Sequence, residues 1–240
     1  MEEKDLINRF DELYERSYTE NRAVFTDFLD LQSQDILERQ RYYPAPVLYG
    51  GYEGAERRAA RFGEDGDFPL ECIRISPKDM KFAEELTHRD MLGAILSLGI
   101  ERRTVGDIVM HAGSGYVFVL SSVRDLILDE LDRVRHTAVV CSVSSLPEGA
   151  SSVKEERTAV ASSERLDAVV SAVFGMSRAD GKSAVDEGRV FIRGSECREP
   201  SRTLKAGDVV SVRGHGKFLY AGESGVTGKG RLRVKFALYK

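Results

Sequence analysis

Residues 177–194 read Ser177-Arg178-Ala179-Asp180-Gly181-Lys182-Ser183-Ala184-Val185-Asp186-Glu187-Gly188-Arg189-Val190-Phe191-Ile192-Arg193-Gly194. Ser177 three residues before Asp180 is a capping-box start, and Gly188 is a stop signal. The apolar run Val190–Ile192 then reads as a short strand closed by an Arg193-Gly194 turn. Gly181 inside the helix costs about 1 kcal/mol relative to Ala. Basic residues stand at the helix start and at both ends of the strand. A helix N-terminus has unpaired N–H groups and the positive end of the dipole, so Arg178 adds a fixed charge where phosphate already binds well.

The pattern extends both ways. Upstream, Ser163-Glu164-Arg165-Leu166-Asp167 opens a helix that turns Leu166, Val169, Val170, Val173 and Phe174 inward and stops at Gly175. Downstream, Leu204–Arg213 reads as a turn at Gly207-Asp208 leading into a strand. Residues 157–240 hold 16 Lys+Arg against 9 Asp+Glu, a net of +7, whereas residues 1–156 hold 19 against 30, a net of −11. This asymmetry fits a nucleic-acid-binding appendage on an acidic body, and it equally fits a module charged for solubility.

Two breaks divide the chain. Ser144–Ser152, with Pro, Gly and several serines, reads as a linker, and Gly63-Glu64-Asp65-Gly66-Asp67 as a softer break. The expected organisation is an N-terminal α/β domain over residues 1–67, a second domain over 68–145, a linker over 146–159 and a C-terminal domain over 160–240, an α+β class overall. In the first, Leu6, Phe10, Leu13 and Tyr14 share a helical face. Helical patterning continues through Val24, Phe28 and Leu29 to Ile36 and Leu37. Val47–Tyr52 is strand-like, and Ala55–Phe62 reads as a basic helix whose Arg57, Arg58 and Arg61 touch phosphate or pair with local carboxylates.

In the second, Leu70–Ile75 alternates as a strand and Thr87-His88-Arg89-Asp90 caps a helix. Val105–Met110 and Tyr116–Leu120 are strands. Ser122 with Asp125 opens a helix carrying Leu126, Ile127, Leu131 and Val134, and His136–Val143 closes the domain. The order β-α-β-β-α-β is the ferredoxin-like plan used by RNA-recognition domains. Such domains stack bases on third-strand aromatics. Here Tyr116 and Phe118 share a face, but the leading basic residue is missing and the first strand offers Ile73 and Ile75. The pair is a stacking platform or packing.

The remaining patterns exclude more than they support. The opening Met-Glu-Glu-Lys-Asp lacks a signal-peptide order, and Met91–Ile100 is half the length of a membrane span. A cytoplasmic protein with no membrane partner is expected. Cys72, Cys141 and Cys197 are far apart and odd in number, and the four histidines are scattered, so neither disulfides nor a metal site is expected. The kinase-like His88-Arg89-Asp90 lacks its downstream Asn, Gly113-Ser114-Gly115 lacks the spacing of a nucleophile elbow, and Gly228-Lys229 lacks the P-loop's first Gly and its Ser/Thr. No catalytic residues and no cofactor are assigned. His88, Arg89, Asp90, Asp107 and His111 form an unassigned polar set that keeps an RNA-modifying enzyme open as an alternative.

Arg165-Leu166-Asp167, Ser177-Arg178, Gly188-Arg189-Val190, Gly194, Gly207-Asp208-Val209 and Arg213-Gly214 resemble, in order and spacing, the S4 RNA-binding domain over about residues 160–220. Arg193 departs from it, since many S4 domains carry Asn there. Phe28-Leu29-Asp30 with Gln34, Gly50–Arg57, His88–Ala94, Leu98-Gly99-Ile100, Gly106-Asp107-Ile108 and Arg213–Phe218 resemble the bacterial YlmH family across nearly the whole chain. The resemblance implies an N-terminal domain, a central RNA-recognition-like domain and a C-terminal S4 domain of the αL type. It also implies a non-enzymatic role on the large ribosomal subunit, binding ribosomal RNA and the tRNA of an obstructed peptidyl-tRNA complex in quality control, where related S4 proteins assist alanine tailing. The family's gene neighbourhood links it to cell division as well, and a cell-division-linked protein–protein adaptor acting through the first segment stays open as a further alternative.

The expected RNA contacts are Arg165, Ser177, Arg178, Lys182, Arg189, Arg193, Arg213 and Lys217, acting largely on phosphates. Asp167 is also placed to hold Arg165 in a structural pair. Off the ribosome a monomer is expected.

Overall fold

The stripe Leu6-Phe10-Leu13 becomes the inner side of α1 (Glu3–Glu20), with Phe10 fully buried. In this computed structural model, which describes residues 3–79, 84–150, 155–228 and 230–239, the chain forms two units, Met1–Ser151 and Ser152–Lys240. In both, helices lie beside antiparallel sheets, an α+β arrangement.

The first unit continues through β1 (Val24–Phe25), α2 (Leu31–Arg39), β2 (Val47–Tyr49) and β3 (Ala59–Phe62), with sheet order β1-β3-β2. Two expectations fail here. Val24–Leu29 is extended rather than helical: Val24 and Phe25 pair with Phe62 and Arg61, and Leu29 bridges to Arg58. Burial of Val24, Thr26 and Phe28 follows a period of two, which the apolar residues alone do not reveal. Ala55–Phe62 is loop and strand, not a basic helix. Buried Ala60 and Phe62 face the core, and Arg58 donates through Nε to Gln34 at 2.7 Å. Gln34, itself fully buried, donates to the Leu29 and Glu56 carbonyls.

There follow β4 (Leu70–Pro77), α3 (His88–Ser97), β5 (Val105–His111), β6 (Ser114–Leu120), α4 (Arg124–Glu130), β7 (Arg133–Val134) and β8 (Thr137–Val143), in sheet order β5-β6-β4-β8-β7. The predicted β-α-β-β-α-β order is present, with β7 added. The Thr87–Asp90 capping box opens α3 as read. The start of α4 differs: residues 121–123 form a 3-10 turn, Val123 is the cap, and the helix ends at Glu130, so Val134 belongs to β7. Ile73, Ile75, Val117 and Val119 face α3 and α4, where they meet Met91, Ile95 and Ile127. The β4 residues opposite the β6 aromatics are therefore Cys72, across from Phe118, and Arg74, across from Tyr116, rather than Ile73 and Ile75.

The second unit comprises β9 (Glu155–Ala161), α5 (Leu166–Phe174), α6 (Arg178–Asp186), β10 (Val190–Ile192), β11 (Ser195–Glu196), β12 (Val209–Val212), β13 (Gly216–Val226) and β14 (Leu232–Leu238), in sheet order β11-β10-β12-β13-β14-β9. Residues 155–159, read from sequence as linker, are strand: β9 pairs along its length with β14. Helices α5 and α6 cover one face of this sheet, where Leu166, Val169, Val170, Ala184 and Val185 meet Val190, Val210, Phe218, Tyr220 and Val234. Gly181, read as a weak point, has a packing role. A Cβ there would lie 2.0 Å from Ser171 Oγ and 2.8 Å from the Asp167 carbonyl, so glycine lets the two helices meet. Arg193 and Gly194 both have positive φ, 49° and 81°, in the turn joining Ile192 to Ser195. Asn tolerates that conformation better than Arg.

Candidate nucleic-acid interface

The α6 start is built as the sequence suggests, with one difference. Ser177 Oγ accepts the Asp180 N–H at 3.1 Å, but it donates to the Asp180 carboxylate rather than completing a reciprocal box. Ser177 is thereby a structural cap. Arg178, the first helical residue, is exposed and donates through Nη1 to Ser162 Oγ at 3.0 Å. Lys182, one turn on, is also exposed. Arg165 forks onto both oxygens of Asp167, at 3.1 and 2.9 Å. Burial opposes ionisation of Asp167, but the Arg165 hydrogen bonds and charge, helped by the Ala168 N–H, hold its carboxyl below the ordinary range. The structural pair therefore forms, and Asp167 neutralises much of the Arg165 charge.

The other predicted residues lie around the sheet. Arg189 donates to Glu187 at 2.8 Å, and its carbonyl receives the Arg213 N–H. Arg213 is exposed, with its guanidinium 4.7 Å from the centre of the Phe191 ring. Lys217, on β13, sits 5.0 Å from the centre of the Tyr239 ring. Arg193, half-buried, occupies the β10–β11 turn.

Phe174 draws the two groups together. At the end of α5, three residues before Ser177, it contacts His215 at 5.9 Å and Phe218 at 5.8 Å between ring centres. The Arg213–Gly216 turn thus abuts the end of α5, close in sequence to the α6 start that carries Arg178.

The aromatic pair of the central sheet has another fate. Tyr116 and Phe118 are 5% and 3% exposed, packed with Phe28 and Ala150. Tyr52 stacks on Phe118 at 4.8 Å. The stack needs close backbone approach: a Cβ at Gly51, whose φ is +97°, would lie 2.2 Å from the Phe118 ring, and one at Gly106 would lie 2.6 Å from Phe28. Asp107 holds the joint, accepting from Tyr52 Oη at 2.9 Å and from the Glu56 and Arg57 N–H groups at 2.6 and 3.1 Å. Packing, not a stacking platform, is the role of this pair.

The arginines of that joint divide as well. Arg57 donates to the Val105 and Phe28 carbonyls, each at 3.0 Å, and Arg61 pairs with Asp65 at 2.6 Å. Burial and the nearby Arg57 charge pull Arg102 down to about 10. The unassigned polar set is dispersed among separate partners: Asp90 in the cap of α3, Asp107 in the joint, and His111 edge-on to Tyr116 at 6.5 Å. Among the described residues, no group of three His, Cys, Asp or Glu is placed to hold a metal, and no helix is long and apolar enough to cross a membrane.

A family model described as "Putative RNA-binding domain in YlmH" matches residues 63–148. The ribosome-associated protein quality control protein P2 of Bacillus subtilis (strain 168) is 32% identical over 230 residues, which span 91% of this chain and 88% of that protein. The chain belongs to the YlmH family. A solved structure, the cell division protein ylmH from Streptococcus pneumoniae, matches with a TM-score of 0.50 at 18% identity, over 62% of this chain and 94% of that one; at this identity the likeness is one of fold. In this YlmH-family chain the matched region contains the whole central sheet, including the face that Phe28 and Tyr52 close.

Proposed function

We propose that this protein is a non-catalytic RNA-binding factor of the large ribosomal subunit. In this reading it grips ribosomal RNA and the tRNA of an obstructed peptidyl-tRNA complex during quality control, in support of alanine tailing. Residues 160–240 act as an S4 domain and 68–145 as an RNA-recognition-like domain used as a scaffold. Arg178, Lys182 and Arg213 make phosphate contacts, with Arg189, Arg193 and Lys217 beside them, while Ser177 and Arg165 shape the surface.

The observation that carries this reading is Arg178. It is exposed, fixed by Ser162 at the first turn of a nine-residue helix, and set in a segment of net charge +7. The name of the Bacillus subtilis relative supports the ribosomal setting. Because phosphates are reached mainly by charge, recognition is of RNA shape more than of sequence.

The test is sedimentation of ribosomal subunits with wild-type protein and Arg178→Glu across a salt series. Co-migration with the large subunit should weaken with a log–log slope of roughly 0.7–0.9 per neutralised phosphate and be lost in the folded variant. Binding indifferent to salt and to the substitution would move the contact to the acidic unit. A base change or transferred group on RNA incubated with pure protein would establish the enzymatic alternative instead.

A further inference from the structure

The sheet of the second unit has a second face, which α5 and α6 do not cover. Its alternation assigns the residues. Val190, Ile192, Val210, Val212, Phe218 and Phe236 point to the helices. Phe191, Ser211 and Lys217 lie in line on the other side, through the pairs Phe191↔Ser211 and Ser211↔Lys217. Beyond the β13 irregularities, Lys235 and Arg233 of β14 continue that side, paired with Thr158 and Val160 of β9. Both are exposed, and Val160 is 48% exposed.

Two aromatic rings on this face each carry a cation: Phe191 under Arg213 and Tyr239 beside Lys217. With Arg233 and Lys235, four cations share the face. The carboxylates of this side stand at its margins. Glu196, on the edge strand β11, is paired with Arg198 at 2.5 Å, and Glu156 lies across from Ala237 on the opposite edge strand. Glu223 belongs to the helix-covered side, across from buried Val234.

We propose that this outer face binds unpaired RNA nucleotides, stacking bases on Tyr239 and on the Arg213 guanidinium that covers Phe191, while Lys217, Arg233 and Lys235 take the phosphates. The two rings stand three strands apart, about 14 Å at the usual strand spacing, a span that a short extended strand crosses in a few nucleotides. A ring-bearing sheet face suits splayed bases. It cannot enter the deep, narrow groove of an RNA duplex. The inference rests on reading this unit as RNA-binding and adds a class of RNA that the α6 start does not serve: the helix start takes the phosphates of folded RNA, and the sheet takes single-stranded RNA adjoining it.

The experiment is fluorescence anisotropy of the full-length protein with two probes, a fluorescein-labelled ten-nucleotide oligouridylate and a blunt twelve-base-pair RNA duplex. Arg233→Glu combined with Lys235→Glu should weaken the oligouridylate at least about tenfold and the duplex less than about twofold, because each reversal removes a phosphate contact from one face. Arg178→Glu should do the reverse. Tyr239→Leu keeps the charges and removes a ring, and should cost the oligouridylate about fivefold or more. Thermal melts of each variant verify folding, and the exposed charge pair keeps the test decisive should the ring variant unfold. Equal oligouridylate binding by wild type and the charge-reversed pair overturns the proposal. Duplex binding without oligouridylate binding overturns it while leaving the unit RNA-binding. Failure of wild type with both probes removes both readings.

Discussion

Two sheets in this chain carry aromatic residues on the side away from their helices, and the surroundings of those rings differ. On the central sheet, Tyr116 and Phe118 are closed over by Phe28 and Tyr52, with Gly51 and Gly106 allowing the approach. On the six-stranded sheet, Phe191 and Tyr239 have cations beside them. Aromatic alternation along a strand therefore does not distinguish a platform from a joint. The neighbouring residues do: small residues and further rings close a face by burial, whereas guanidinium and ammonium groups hold solvent there and give a polyanion somewhere to bind.

If the central face is structural, damage to it appears as lost stability. Phe118→Ala should cost about 3–5 kcal/mol, the usual range for a buried ring, measured as a lower urea midpoint. Gly51→Ala attacks the same joint from the other side and should cost about 1–3 kcal/mol by overpacking against Phe118. Gly181→Ala gives a matching test in the second unit. Helix propensity alone predicts stabilisation, but contact with Ser171 Oγ should make it destabilising by about 1–3 kcal/mol.

A smaller effect comes from Cys72, which lies across from Phe118 on the closed face. Burial pushes its thiol up to about 11, from an ordinary value of 9.0. Because the folded form keeps its proton longer than the unfolded chain, this contribution to stability is full below pH 9 and declines as pH rises from 9 toward 11. Urea midpoints at pH 8 and pH 10.5 should show a fall that Cys72→Ala reduces. The smallest stability change belongs to the open sheet: Arg233→Glu with Lys235→Glu should shift the urea midpoint by no more than about 0.5 kcal/mol equivalent. A large loss there would make that face structural too and erase the contrast.

The sequence was most informative where periodicity and caps agree. The faces of α1 and α5, the Thr87 cap of α3 and the starts of α5 and α6 are all readable from local spacing. It was least informative where a polar residue is satisfied from afar. Arg57 bonds carbonyls at Phe28 and Val105, so a strand approach dense in arginine resembles a basic helix. The strand β9 was hidden because its alternation is built on Ala and Thr with few large apolar residues, and its partner lies more than seventy residues downstream.

At the candidate interface, exposed Arg178, Lys182 and Arg213 were legible through motif and helix-end physics. Arg233 and Lys235 of the outer sheet were not, because no motif covers β14 and its partner β9 lies more than seventy residues upstream. One local signal was present: Arg231, Arg233 and Lys235 recur every second residue, the spacing of a single strand face.

The pairing of β9 with β14 has a consequence for how such a unit is used. Glu155 and Leu238 are cross-strand neighbours, so the chain enters and leaves the second unit at one place on the sheet's margin. A module with adjoining ends behaves as a cassette. It can be fused to another chain, or carry an insertion where its ends meet, without stretching its interior. A permutant that joins these ends through a short loop and opens at the Arg193-Gly194 turn would retain every strand pair except β10 with β11.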